Sequence, residues 1–265
     1  MKKEIRESIT LENEGLKLFG ILHRPECCLK DVKVPCVVLL HGLGGNKSGR
    51  YRMITRLAEA LAKNGIAAFR IDSRGAGDSE GNFSETTLES LTSDALLALT
   101  YVSSHPSIHK NQLGLCGRSF GGAVAVNVAA QFQNTQIGSI KALALWAAVF
   151  DAKPWLMKKV DSENRAAHLF MGEPLNKQFI AQFSAYDAAT LLKKLQDIPF
   201  LILQGEQDCI VEKYHTEQYM HARKNGVHTV LKYLPHTDHE FSNVAEQTIA
   251  LDETVNFMKK VFYDN

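Results

Sequence analysis

Segments typical of buried β-strands alternate with helical segments along most of this 265-residue chain. The continuous apolar runs at residues 35–41 and 66–71 predict strands that are covered on both faces. Between them, residues 50–63 carry apolar side chains at helical spacing and end at an Asn-Gly pair. Strands joined by helices of about 12–18 residues require right-handed crossovers, so the alternation predicts a mostly parallel sheet with helices on both faces.

The remaining segments complete a sheet of about eight strands. Residues 4–10 and 16–23, joined by an Asn-Glu-Gly turn, predict an antiparallel hairpin at one edge. From about residue 150 to 195 the alternation breaks, and we interpret this stretch as a cap inserted into a single domain that spans residues 1–265. The other predicted strands are 112–116, 140–148, 199–204 and 228–234, and the other predicted helices are 87–103, 119–131, 211–224 and 244–262.

Composition excludes several classes of protein. A formal net charge of +1 gives no overall field for nucleic acid or an anionic membrane surface. The longest apolar run, residues 142–150, is less than half of the roughly 20 residues that a membrane helix needs. Five cysteines lack the paired spacing of a disulfide or zinc motif, and ten histidines contain no H-E-x-x-H. We therefore expect a cytoplasmic protein without a metal or cofactor, and a homodimer is left open.

The segment 117–121 reads Gly-Arg-Ser-Phe-Gly and fits G-x-S-x-G. It lies between an apolar strand and a helix rich in glycine and alanine, which is the setting that a nucleophilic serine needs. A sharp turn there exposes the Ser119 hydroxyl above the sheet, near the positive end of the helix dipole. The sequence predicts Ser119 as a nucleophile; the alternative is a glycine-rich turn in which Ser119 only caps the helix.

An acid and a base follow later strands in the order that such a serine requires. Asp208 comes directly after the strand at 199–204, and His239 follows the last strand. Functional groups gather beyond the carboxyl ends of parallel strands, so both side chains are expected at the same edge as the serine. Ser119, Asp208 and His239 are the predicted catalytic residues, with Glu206 and His236 as the alternatives.

The loop after the first parallel strand supplies a further element. Residues 41–45 read His-Gly-Leu-Gly-Gly, and the glycines allow the loop to turn its backbone N–H groups toward the serine. We predict that the N–H groups of Leu43 and Phe120 form an oxyanion hole. A plain tight turn is the alternative interpretation.

Taken together, these elements resemble the α/β-hydrolase superfamily over nearly the full chain. The matching residues are His41-Gly42, the loop 72–79, the Ser119 elbow, Asp208 and the segment 238–241. Within the superfamily the chain looks most like the small bacterial carboxylesterases of the cinnamoyl (feruloyl) esterase group. Arg118 in the elbow and Ala76, where that group often has histidine, depart from the pattern.

The resemblance implies a serine esterase that acts on short-chain or aryl esters through an acyl-enzyme on Ser119. Its partner would be a small-molecule ester, with specificity set by the cap. A thioesterase or a serine peptidase could use the same residues, and a ligand-binding protein on this fold is the non-enzymatic alternative. Four cap side chains could line the pocket or simply pack against the sheet: Trp155, Met157, Phe170 and Met171.

Overall fold

An eight-stranded sheet organises the computed structural model, which describes residues 4–26, 32–133, 135–151, 153, 169–170 and 173–264. The spatial order of its strands is β1-β2-β4-β3-β5-β6-β9-β10. The first two pairs in that order are antiparallel and the other five are parallel. The strands are β1 (Glu4–Asn13), β2 (Leu16–Pro25), β3 (Val34–Leu40), β4 (Ala67–Ile71), β5 (Ile108–Arg118), β6 (Ile140–Trp146), β9 (Phe200–Gly205) and β10 (Thr229–Leu234).

Helices cover both faces of the sheet and bury two apolar cores. One face is covered by α1 and the last helix, while α2 and α3 pack together on the other. The helices that the structure describes are α1 (Met53–Lys63), α2 (Leu88–Ser104), α3 (Phe120–Phe132), α4 (Lys177–Ser184), α5 (Ala188–Lys193), α6 (Lys213–Ala222) and α7 (Val244–Tyr263). The predicted α/β-hydrolase architecture, with its hairpin and mostly parallel sheet, is confirmed. None of these helices is long and apolar enough to cross a membrane.

Burial explains which strands the sequence predicts well. All seven residues of β3 are buried, as the continuous apolar run requires. Strand β5 begins four residues before its predicted start. The prediction missed this first half because residues 109–111 are polar and exposed. That half still pairs with β3, through Ile108 opposite Val34, and a register shift follows before the apolar half.

Only part of the predicted cap lies within the described residues. A two-stranded ribbon joins β7 (Leu169–Phe170) to β8 (Glu173–Pro174), and α4 and α5 follow it. Phe179 and Phe183 of α4 are fully buried, and their rings lie 5.4 and 4.3 Å from the ring of Phe120. The end of the predicted cap segment thus packs directly on the first residue of α3.

Candidate active site

Ser119 occupies a strained turn between β5 and α3. Its backbone has φ 55° and ψ −123°, a region that non-glycine residues rarely adopt. The Ser119 N–H donates to the Trp146 carbonyl over 2.8 Å, and the Ser119 carbonyl accepts from Gly122 and Val149. These three backbone bonds hold the conformation, so the side chain is fixed above the end of the sheet.

Two glycines make this turn sterically feasible. A Cβ on Gly117 would lie 2.3 Å from the Gly121 carbonyl oxygen, and one on Gly121 would lie 2.4 Å from the His41 carbonyl oxygen. Both distances are shorter than any real Cβ contact, so only glycine allows β3, β5 and α3 to approach this closely. The G-x-S-x-G pattern is therefore a packing requirement here as well as a chemical motif.

Ser119, His239 and Asp208 form one hydrogen-bonded chain. His239 Nε2 lies 3.0 Å from Ser119 Oγ, and His239 Nδ1 lies 2.8 Å from Asp208 Oδ2. A carboxylate only accepts, so Nδ1–H donates to Asp208 and Nε2 accepts from the serine hydroxyl. All three side chains are buried, which excludes competing water from these bonds.

Asp208 is held by its own loop. Its Oδ1 accepts from the backbone N–H groups of Ile210 and Val211, each over 2.8 Å. Its Oδ2 also accepts from the Gln204 amide over 3.3 Å. These donors hold the carboxylate in the orientation that presents Oδ2 to the imidazole.

Glu206 and His236, the alternative acid and base left open by the sequence, do not contact the Ser119 side chain. The Glu206 carboxylate is half exposed and pairs with Lys213 Nζ at 3.0 Å. The side chain of His236 is exposed, and its backbone N–H donates to the Glu246 carboxylate. The structure therefore brings only the Asp208–His239 pair to Ser119.

Arg118 has a place in the site that sequence reasoning did not assign. Its Nη2 donates to the His239 carbonyl oxygen over 2.7 Å and to Glu240 Oε2 over 2.8 Å. The arginine next to the serine thus holds the backbone of the loop that carries the histidine. The one signal in the sequence was the presence of a large charged side chain, Arg118, between the glycines of the elbow.

The loop after β3 lies against the serine. A Cβ on Gly42 would be 3.1 Å from the Ser119 Cβ, so the backbone passes over the hydroxyl. His41 fixes the loop: its Nδ1–H donates to the Gly42 carbonyl over 2.8 Å, and its Nε2 accepts from the Ser73 N–H over 3.1 Å. Burial lowers the pKa of His41, which keeps this neutral tautomer.

The two N–H groups predicted for the oxyanion hole are available. Among the residues that the structure describes, neither the Leu43 N–H nor the Phe120 N–H has an acceptor. Asp72 steadies the far end of the loop, because its buried carboxylate accepts from the Lys47 backbone and forms an ion pair with Lys47 Nζ.

A cavity of about 590 Å³ opens beside Ser119 and His239. The loops after β3, β5, β9 and β10 and the segment before α1 form its described walls. Of the predicted cap residues, Trp155, Met157 and Met171 lie outside the described residues, and for Phe170 only the backbone is described. Over the described part of the chain, no group of three or more His, Cys, Asp or Glu could hold a metal ion.

This sheet order, with an elbow serine at the carboxyl ends of the parallel strands, defines an α/β hydrolase. Within that class, the chain belongs to the family described as serine aminopeptidase, S33, whose model matches residues 33–180. The superfamily predicted from the sequence is confirmed.

Individual relatives agree with this assignment. Quorum-quenching protein AidA of Acinetobacter baumannii is 32% identical over 123 residues, which cover 46% of this chain and 38% of AidA. Thiohydrolase aneE of Aspergillus aculeatus is 32% identical over 130 residues, which cover 49% of this chain and 40% of aneE. The match thus spans less than half the length of either relative. Est1E of Butyrivibrio proteoclasticus, solved with ferulic acid bound, superposes with a TM-score of 0.81 at 22% identity, covering 96% of this chain and 98% of Est1E.

Proposed function

We propose that this protein is a serine hydrolase that cleaves carboxylic esters through an acyl-enzyme on Ser119. The observation that carries the proposal is the buried hydrogen-bond chain from Ser119 Oγ through His239 to Asp208, which opens onto a cavity. Short-chain or aryl esters are the proposed substrates, and residues 150–195 are the proposed cap.

The geometry supports a two-step acyl transfer. His239 Nε2 takes the hydroxyl proton as Ser119 Oγ bonds to the ester carbonyl carbon. The same nitrogen then protonates the departing alkoxide as the tetrahedral intermediate collapses to the acyl-enzyme. Water, deprotonated by His239, attacks the acyl carbon and releases the acid and the free serine. Asp208 stabilises the imidazolium that forms in each half.

The oxyanion would be bound by the N–H groups of Leu43 and Phe120. Both lie on backbone held by neighbours: His41 fixes the loop, and α4 packs on the Phe120 ring. A donor of this kind contributes about 10²–10³ in rate. Because the acceptor must be an oxygen that gains charge, the arrangement favours carbonyl substrates.

Esters rank ahead of aminopeptidase substrates for an electrostatic reason. An aminopeptidase must bind a free α-ammonium group, which requires an available carboxylate in the pocket. Among the described residues that line the cavity, the one carboxylate is Glu240, and Arg118 already pairs with it. Thioesters use the same chemistry, and the name of the relative aneE supports their inclusion in a substrate panel.

Labelling with a fluorophosphonate probe, followed by mass spectrometry, tests the nucleophile. We expect an adduct on Ser119 that is absent in Ser119→Ala and retained in Ser104→Ala, an exposed serine at the end of α2. A panel of aryl acetates, acyl thioesters and aminoacyl anilides then assigns the leaving group, with the oxygen esters expected to turn over fastest.

A folded protein that takes no label and hydrolyses nothing in the panel would overturn the proposal. Tight binding of an ester without turnover would instead favour a ligand-binding protein on this fold.

A further inference from the structure

One wall of the cavity beside Ser119 is cationic. The segment 50–52, Arg-Tyr-Arg, lines the cavity together with the loop after β3, His239 and Glu240. Arg50 and Tyr51 are exposed, and the Arg52 side chain is 66% exposed. Arg50 is therefore a cationic side chain at the cavity wall, while the Arg52 guanidinium pairs with Glu59, which does not line the cavity.

The charges of this wall are only partly balanced. Arg118 and Glu240 neutralise each other at 2.8 Å. Arg52 pairs with Glu59 at 3.2 Å, but Glu59 is shared with Arg6 at 2.8 Å. Within the described ranges, Arg50 has no acidic partner. The cavity thus carries net positive charge next to a site whose own acid, Asp208, is already occupied by His239.

The start of α1 adds to the same potential. Helix N-termini are positive and normally carry acidic residues in the first turn. Here the first turn of α1 contains no acidic residue, and the residue before it is Arg52. Two arginines at a helix N-terminus repel its dipole, and an anion bound in the cavity would remove that repulsion.

The backbone of the segment that forms this wall is held by its packing on α1. Tyr51 and Arg52 both have positive φ, 52° and 59°, and Gly49 has φ 69°. A Cβ on Gly49 would lie 2.9 Å from the Ile54 side chain, so the segment packs tightly on α1. Ile54 N–H donates to the Ser48 carbonyl over 3.1 Å, which closes the turn. Because the backbone that carries Arg50 is held in this way, only the Arg50 side chain has to be ordered when a charged group binds.

We infer that the substrate carries a carboxylate away from its scissile ester, and that Arg50, supported by Arg52, binds it. The inference rests on the proposed function, because it assigns the substrate class of the same site. Guanidinium groups bind carboxylates with paired N–H donors, so an arginine at the cavity wall selects an anionic ester over its neutral analogue.

Matched ester pairs test this. The first pair, 4-acetoxybenzoate and its methyl ester, places the carboxylate on the leaving group. The second, monoethyl and diethyl adipate, places it on the acyl group. We expect wild-type protein to prefer the anionic member of one pair by kcat/KM, and Arg50→Gln to reduce that preference about fivefold or more. Arg50→Lys should retain part of it, and added salt should weaken it.

Lys63→Gln, at the far end of α1, removes the same charge outside the cavity and should leave the preference unchanged. If Arg50→Gln and Lys63→Gln change both members of each pair alike, the inference is wrong while hydrolysis of the neutral esters leaves the proposed function standing. If no ester is cleaved and fluorophosphonate does not label Ser119, the proposed function itself fails.

Discussion

At the scale of single residues, the carboxylates of Asp208 and Glu206 lie in the same loop but contact different groups. Two backbone N–H groups and the His239 imidazole donate to it, whereas Glu206 faces a lysine and solvent. Replacement of Asp208 by asparagine keeps the size and removes the charge that fixes the tautomer of His239. We expect Asp208→Asn to lower kcat about 10⁴-fold with little change in KM.

Steady-state kinetics on a single aryl acetate measure this effect. Glu206→Gln is the matched control, since it neutralises the neighbouring carboxylate and should retain nearly full activity. A large loss in Glu206→Gln with an active Asp208→Asn would reverse the assignment of the acid.

Arg118 acts through the histidine loop, as a positioning residue. Its bonds to the His239 carbonyl and to Glu240 place the backbone from which the imidazole projects. A displacement of even 1 Å in a catalytic group is costly, so we expect Arg118→Met to lower kcat about tenfold or more and to change KM less. Arg118→Lys, which can still reach a carbonyl oxygen, should restore part of kcat. A fall confined to KM would show that Arg118 contacts the substrate instead.

The sequence could predict Ser119, Asp208 and His239 as candidates because each directly follows a recognisable strand. It favoured Asp208 by position but left Glu206, two residues away at the same strand end, as the alternative. That choice depends on which carboxylate the loop turns toward the imidazole. The bond from Arg118 to the His239 carbonyl joins residues 121 positions apart, and no local pattern encodes it.

At the scale of elements, the site depends on the close approach of α3 to β3. The Gly121 Cα lies where a Cβ would be 2.4 Å from the His41 carbonyl oxygen and 2.5 Å from that of Leu40. Both are backbone atoms in a buried strand end and cannot move independently. We expect Gly121→Ala to destabilise the fold by about 2–4 kcal/mol and to reduce labelling of Ser119, because the elbow must shift away from the loop.

Urea unfolding followed by fluorescence measures that loss. Gly65→Ala is the control: Gly65 has φ 91°, but its Cβ would meet only the Tyr263 hydroxyl at 3.2 Å. This substitution should cost about 1 kcal/mol from backbone strain and leave labelling intact. Equal losses in the two variants would mean that backbone strain, rather than helix–strand contact, dominates at Gly121.

The spacing of apolar residues predicted well those strands and helices that have one apolar face or two. It missed the start of β5, where Ile108 pairs with Val34 but the next residues, 109–111, are polar and exposed. It also gave no sign of the cationic wall at 50–52, which lies at the start of a predicted helix. Tyr51 and Arg52 both have positive φ there, a conformation that has no sequence signature at non-glycine residues.

At the scale of the whole molecule, burial affects several histidines in the same direction. The pKa values of four histidines are lowered, and burial is the largest cause in each case: His23, His41, His105 and His215. In the native state these imidazoles therefore remain neutral at a pH where the unfolded chain would already bind protons. His215 also makes contacts that only a neutral imidazole allows: its Nδ1 accepts from the N–H groups of Phe150 and Asp151, each over 3.2 Å, and a protonated nitrogen could not accept.

Stability should consequently fall as the pH decreases below the unfolded histidine pKa of about 6.5. Between that pH and the lower native pKa, the unfolded state binds more protons, so each histidine contributes a slope of at most about 1.4 kcal/mol per pH unit. Carboxylates with lowered pKa, such as Glu4 and Asp238, act in the same direction only at more acidic pH. The interval from about pH 5 to 6.5 therefore isolates the histidines.

His215→Asn offers a direct measurement of one contribution, because the amide oxygen can replace Nδ1 as the acceptor without titrating. We expect the free energy of unfolding of this variant to match wild type near pH 8 and to depend less steeply on pH between 5 and 6.5. His221→Asn, an exposed histidine on the same helix, should leave the slope unchanged. His215 holds the backbone at residues 150–151, where the proposed cap begins. The rate of fluorophosphonate labelling of Ser119 over the same interval would therefore show whether this end of the cap loosens before the molecule unfolds. Parallel pH slopes for wild type and His215→Asn would mean that the buried imidazole is not the group that titrates on unfolding.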